Sequence, residues 1–307
     1  MATPRSQLID PEFALHYHLV SRCVRSSWLC GRDRKTGKDY NHRKKWLKDR
    51  LLHLAQFFAI DIDAFVVMDN HFHLVVFYDP IECTRWSDEE VASRWCEAFP
   101  SKSIKDDPIE STLLKSMQRE TLLAQPLRLA QCRKTLGSLS AFMKHLKQPI
   151  AWRANQEDKC KGHFFEGRFY SGALLSEDAV LAAMAYVDLN PVRAKIARNI
   201  KQCQDSSIAT RLKAIINSPD RLAEALEPLV SGINEPREPL SMTLNDYCAY
   251  LTDLISQEPS HGQAGETKWF NRVASFRTRQ RAYGLQADLE AWSSRRGWRR
   301  QGKPLTE

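Results

Sequence analysis

The sequence predicts an α+β fold in which helices lie on an antiparallel sheet, and three stretches carry that prediction. "FALHYHLVSRCV" (13–24) has the β-branched, alternating character of a strand. "RKKWLKDRLLHLAQFF" (43–58) sets Leu47, Leu51, Leu54 and Phe58 at helical spacing. "IDIDAFVVM" and "HFHLVVFY" then read as two strands, with Asp69 and Asn70 supplying turn chemistry between them. Strand, helix and hairpin in that order form an antiparallel sheet covered by its helices.

Downstream, residues 79–137 are polar and irregular in pattern. They contain one clear helix at "SDEEVASRWCEAF", where Ser87 and Glu90 are spaced as a capping box. This segment reads as an insertion decorating the core. "SLSAFMKHLKQPIAWRAN" is helical until Pro149, where the missing N–H is expected to perturb it. "HFFEGRFYSGALL" is a further strand with a turn or bulge at Gly167. Ser176 then caps a helix, "EDAVLAAMAYVDLNPVRAKIA", whose first turn holds Glu177 and Asp178, where the macrodipole favours acids. Beyond about residue 205 the texture changes to short helices broken by Pro and Gly. We therefore divide the chain into a principal domain, 1–205, and a helical basic C-terminal region, 206–307, expected to serve as a DNA-binding accessory.

With 307 residues, 43% hydrophobic and 27% charged, the chain has the composition of a soluble globular protein. It lacks the roughly 18–20 residue apolar run that spans a bilayer. "MATPRSQLIDPEF" has no apolar core of a signal peptide, so the expected location is the cytoplasm, at the nucleoid when bound to DNA. Eight cysteines are scattered without a CxxC pair and read as reduced, mostly buried thiols. Cys160 and His163 in "CKGHFFEGR" resemble half of a zinc site, but no second half is visible.

A net charge of +8 makes a polyanionic partner plausible. From Lys268 to Lys303 ten basic residues face only Asp288 and Glu290, with Trp269, Phe270, Phe276, Tyr283, Trp292 and Trp298 interleaved. That mixture suits phosphate attraction with base stacking, and equally a helical tail that packs its aromatics inward and solvates its arginines.

His71 and His73 in "VVMDNHFHLVV" are two residues apart, so on a strand both leave the same face within reach of a single ion. "HYH" at 16–18 has the same spacing, and geometry alone does not choose between them. Tyr186 and Asn190, four apart in "AYVDLNP", would project from adjacent turns of one helix face. A tyrosine hydroxyl can act as a nucleophile and an amide oxygen as a hard metal ligand. Packing explains such a tyrosine equally well, and an Asn before Pro is an ordinary helix end.

Taken together, "VVMDNHFHLVV" followed by "GHFFEGRFYSGALLSEDAVLAAMAYVDLNPVRAKIA" resembles the single-tyrosine HUH transposases of small bacterial insertion sequences, and among them the REP-associated tyrosine transposases. The likeness covers roughly residues 13–78 and 138–200, with a looser similarity near the C-terminus. Family members often have Pro at the position of Asp69, and the long segment 79–137 is a larger departure.

The resemblance implies a ferredoxin-like HUH fold whose central strands carry His71 and His73 as metal ligands. It also implies Tyr186 as the nucleophile, Asn190 as the residue completing a Mg²⁺ or Mn²⁺ site, and "HYH" on a neighbouring strand as structure or DNA contact. The implied partner is single-stranded DNA with hairpin ends, with no membrane and with a homodimer among the family's arrangements. In a shared active site Tyr186 would meet the partner's histidines. Lys144, Lys147, Arg153 and Arg168 are the candidate phosphate contacts. The implied activity is cleavage and rejoining of DNA through a 5′-phosphotyrosine intermediate. Two alternatives stand beside it: a non-catalytic DNA- or RNA-binding regulator on the same fold, and a small HUH replication or mobilisation nickase.

Overall fold

The computed structural model describes residues 8–10, 12, 15–33, 36–100, 108–257, 268–298 and 302–305. Four strands form the centre of one sheet: β1 (His16–Arg22), β2 (Ile60–Val67), β3 (His71–Tyr78) and β4 (Tyr170–Leu174). β1 lies between β3 and β4, and β2 lies outside β3, with every pairing antiparallel. Two short strands extend the edges. β6 (Val230–Ser231) pairs antiparallel with β2, and β8 (Ala282–Tyr283) runs parallel to β4, giving the order β6-β2-β3-β1-β4-β8. A separate ribbon joins β5 (Ala225–Leu226) to β7 (Leu240–Thr243).

The helices are α1 (His42–Ala55), α2 (Glu82–Arg85), α3 (Asp88–Ala98), α4 (Pro108–Leu123), α5 (Pro126–Leu136) and α6 (Leu139–Glu157), followed by α7 (Glu177–Asp188) and α8 (Asn190–Arg193). α9 (Ser207–Asn217), α10 (Leu244–Ser256), α11 (Lys268–Ser275) and α12 (Gln286–Arg295) complete the chain. Alternation along the strands sorts the side chains into two cores. Tyr17, Leu19, Phe72, Leu74 and Val76 pack with α1, α5 and α6, while Ala64, Val66 and Val75 pack with α7, α9 and α10. Because both faces are covered, every residue of β2 is buried, Asp61 and Asp63 included.

The structure differs from the sequence expectation in five places. Residues 79–137 hold four helices rather than one, and Leu122, Leu129, Cys132 and Leu136 bury themselves in the same core as α1; residues 101–107 lie outside the described residues. Ser87 caps α3 by accepting from the Glu90 N–H at 3.1 Å, but Glu90 turns its carboxylate to Arg94 and Asn234, so the capping box is only half made.

Helix α6 runs unbroken past Pro149. The carbonyl that Pro149 leaves without a helical donor belongs to His145, and the Arg50 Nε–H on α1 donates to it at 2.7 Å. Residues 177–197 are not one helix: α7 ends at Asp188, and a turn at Leu189 (φ −88, ψ 2) separates it from α8.

Beyond residue 205 the chain is not purely helical, since it supplies β6 and β8 to both edges of the main sheet. Phe276, Tyr283 and Trp292 are buried, while Arg272, Arg295 and Arg296 pair with Asp178, Glu12 and Asp10. Arg299 and Arg300, and the side chains of Lys268 and Trp269, lie outside the described residues.

Candidate active site

His71 and His73 alternate along β3 with Phe72 and Leu74, so both imidazoles leave the sheet on the face that α7 covers. The register of β1 places Arg22 opposite His71 and Val20 opposite His73, which brings His18 to the same face one pair further on. His18 Nε2 and His73 Nδ1 are 2.9 Å apart, and the two rings lie within 10° of parallel. Tyr186, on the last turns of α7, sets its ring 5.7 Å from that of His73 and 5.8 Å from that of His18. Asn190, after the turn at Leu189, lies beside the His71 side chain, whose charged form it favours.

The hairpin turn before His71 is fixed from outside the hairpin. The Cys23 and Cys30 N–H groups donate to the carbonyls of Asn70 and Asp69, each at 2.8 Å, and the Asp69 carboxylate pairs with Lys44 at 2.6 Å. Gly31 permits this approach, because a Cβ there would stand 2.1 Å from Asp69 Cγ. Beside the turn a cleft of about 550 Å³ opens onto His71, lined by Trp28, Arg32, Met68, Asn70 and Ile196.

Burial sets the charge state of the imidazoles. Desolvation, reinforced by Arg22 and Arg279, pushes His71 down to about 4; desolvation with the neighbouring imidazoles and the same arginines holds His73 well below its ordinary value. His18, buried and near Arg279, is pushed down to about 3. At neutral pH the face therefore presents uncharged rings among cations. Arg193 adds a third, its guanidinium carbon 4.3 Å from the centre of the Tyr186 ring.

The donor set can be tested against a divalent cation. His71 Nδ1 lies 2.6 Å from Asn70 Oδ1, which can only accept, so the neutral ring carries its proton on Nδ1 and keeps a lone pair on Nε2. His73 also uses Nδ1, for His18, and keeps Nε2 for anything else. Two neutral imidazoles and the Asn190 amide oxygen fit a cation that leaves other positions open. Among the described residues no three His, Cys, Asp or Glu side chains converge as a ligand group, so such a cation would depend on this mixed set. Cys160 is exposed, and its thiol contacts Asn155 at 3.6 Å.

The candidate phosphate contacts lie elsewhere. Lys144, Lys147 and Arg168 line a groove of about 550 Å³ with Phe164, Phe165 and Phe169, between α6 and the 162–169 loop; α6 covers the sheet face opposite α7. Arg153 stacks its guanidinium 3.7 Å from the centre of the Trp46 ring on α1. The structure thus unites His71, His73, Tyr186 and Asn190 and separates them from these four basic residues. Sequence reasoning left His18 as structure or DNA contact on a neighbouring strand, and it missed Arg22, Arg193 and Arg279 at the site. "HYH" was a visible signal for His18, but its role depends on β1 lying beside β3. The three arginines carried no local signal, because they come from a strand end, a short helix and a distant tail.

No family model matches the chain, and no curated protein matches it. Among solved structures it is similar to a REP-associated tyrosine transposase bound to a REP hairpin, at 12% identity and a TM-score of 0.32, over 74% of this chain and 94% of that one.

Proposed function

We propose that this protein cleaves and rejoins single-stranded, hairpin-bearing DNA as a metal-dependent transposase of the single-tyrosine HUH type. The observation that carries the reading is that Tyr186 packs against His73 while Asn190, four residues on, lies beside His71, all within one chain. Four residues picked out by two distant motifs meet at one place. The strand order β2-β3-β1-β4, antiparallel throughout, with α1 crossing from β1 to β2, supports the ferredoxin-like HUH architecture.

His71 Nε2, His73 Nε2 and the Asn190 oxygen would hold Mg²⁺ or Mn²⁺, which when bound supplies Lewis-acid neutralisation of a scissile phosphate. The chain's own part is positioning. Arg22, Arg193 and Arg279 draw the phosphodiester towards the histidine face, and the cleft beside His71 has room for the flanking nucleotides. The Tyr186 oxygen attacks phosphorus in line, the bond to the leaving 3′ oxygen breaks, and the products are a 5′-phosphotyrosine and a free 3′-OH. Attack by a second 3′-OH reverses the step and joins strands without ATP. The contact between Tyr186 and His73 in one chain favours a site complete within a subunit, whether or not the protein dimerises.

The test is incubation of labelled single-stranded hairpin DNAs with Mn²⁺, with wild type and Tyr186→Phe side by side. The expected result is a protein–DNA adduct that survives denaturation, forms only with wild type and disappears with chelator. Binding without an adduct would favour the regulator reading, for which the basic, aromatic groove on the opposite sheet face already offers a surface.

A further inference from the structure

His18 has the surroundings of a core residue and the connections of a site residue. Its side chain is 1% exposed, and its Nδ1 is buried without a hydrogen-bond partner among the described residues. The ring's one polar contact there is Nε2 to His73 Nδ1, at 2.9 Å. A histidine kept for packing alone would more economically be a leucine or phenylalanine, since a buried polar atom left unpaired is destabilising. The question is what the contact with His73 supplies.

Only one proton can sit between the two nitrogens. If His18 Nε2–H donates, neutral His73 must carry its own proton on Nε2 and offers a cation nothing. If His73 Nδ1–H donates, His18 Nε2 accepts and His73 Nε2 is a free lone pair. The neighbouring ring has already taken the second form, with His71 Nδ1 committed to the Asn70 oxygen at 2.6 Å. Both rings thus engage a partner through Nδ1 and hold Nε2 in reserve.

We propose that His18 is a positioning residue that accepts the Nδ1–H of His73 and so fixes the tautomer and the plane of that ring. It does for His73 what Asn70 does for His71. The inference rests on the reading of His73 as a metal ligand. It assigns a role to the first "HYH" histidine pair beyond structure or DNA contact: His18 acts on the site through His73, while His16 on the same strand belongs to a separate charge cluster with Asp63 and Arg237. The two rings, 10° from parallel and joined edge to edge through Nε2 and Nδ1, also hold the plane of the His73 ring.

The test has two readouts. Long-range ¹⁵N–¹H spectra of the full-length protein labelled at histidine, with His73 assigned by its loss in His73→Gln, report which nitrogen carries the proton without any metal or substrate. Calorimetric titration with Mn²⁺ reports affinity. The expected result is a wild-type His73 protonated at Nδ1, a shift towards the Nε2–H form in His18→Phe with Mn²⁺ affinity about 10- to 100-fold weaker, and recovery of both in His18→Gln, whose amide oxygen can accept. A wild-type His73 protonated at Nε2 overturns the proposal, and this measurement needs no variant to fold. Unchanged tautomer and affinity in a folded His18→Phe overturn it as well. If wild type binds no Mn²⁺ while the tautomer still follows His18, the metal reading fails and the ring-orienting role of His18 is supported.

Discussion

Asn190 lies beside the His71 side chain although the turn at Leu189 breaks the helix that carries Tyr186. The break matters, because it lets the amide and the phenol be placed independently on neighbouring imidazoles. If the Asn190 oxygen is a ligand, Asn190→Ala weakens Mn²⁺ binding by about 10- to 100-fold, and Asn190→Asp, which keeps a hard oxygen and adds charge, retains it. Titration calorimetry on the two variants decides the matter; equal affinity of wild type and Asn190→Ala would remove Asn190 from the site.

Arg193 offers a sharper kinetic test. Its guanidinium stands 4.3 Å from the centre of the Tyr186 ring, where a cation favours negative charge developing on the phenol and on an approaching phosphate. Arg193→Ala should slow adduct formation by on the order of 100-fold, and Arg193→Lys should recover part of the rate, because lysine keeps the charge without the planar fork. Single-turnover cleavage of a labelled hairpin measures both. A normal rate in Arg193→Ala would leave the arginine a packing role only.

Much of this arrangement was legible in the sequence because it depends on local periodicity. The two-residue alternation of β3 fixes that His71 and His73 share a face, and the Ser176 cap fixes where α7 begins; its side chain accepts from the Ala179 N–H at 3.3 Å. What stayed hidden depends on contacts distant in sequence. Pro149 is tolerated because Arg50, on another helix, replaces the lost donor. The turn after Asp188 follows from a buried carboxylate that accepts from Ser207 at 2.5 Å, Ile208 N–H at 2.8 Å and Tyr247 at 2.8 Å, groups that lie up to 59 residues away. "PDRLAEALEPLVSG" reads as helix by composition, yet Leu226 and Val230 belong to strands because sheet partners at Leu240 and Ile62 were available.

The same buried imidazoles make stability depend on pH. His16 and His18 are pushed down to about 3 and His71 to about 4, with His73 lowered too, each chiefly by desolvation. These folded-state values lie below that of an unfolded histidine, about 6.5, so on acidification the unfolded chain takes up protons first and stability falls. Once its unfolded form is fully protonated, each such ring contributes a slope of about 1.4 kcal/mol per pH unit. Three carboxyls oppose this. Burial raises Asp63 to about 6 and also raises Asp61 and Asp188, so the folded state holds protons there that the unfolded chain releases above about pH 4. The imidazole window opens first, at about 6.5, and four rings outnumber three carboxyls. Urea unfolding at pH 7.5, 6.5 and 5.5 should show a steady loss of stability; a flat or rising profile would mean that these histidines are not buried in their neutral form.

The bond from Arg50 to His145 can be isolated by a mutant cycle. In wild type, the Arg50 guanidinium, itself desolvated, is the donor that satisfies the carbonyl left open by Pro149. Arg50→Ala strips that donor and should destabilise the protein by about 2 kcal/mol, the scale of a hydrogen bond from a charged group. Pro149→Ala restores an N–H one turn after His145, so the carbonyl regains a helical partner. In that background Arg50→Ala should cost clearly less, with a coupling of about 1 kcal/mol between the two positions. Urea midpoints of the four proteins measure it. Full additivity would show that Arg50 contributes to α1 and α6 by packing and charge rather than by completing the helix at Pro149.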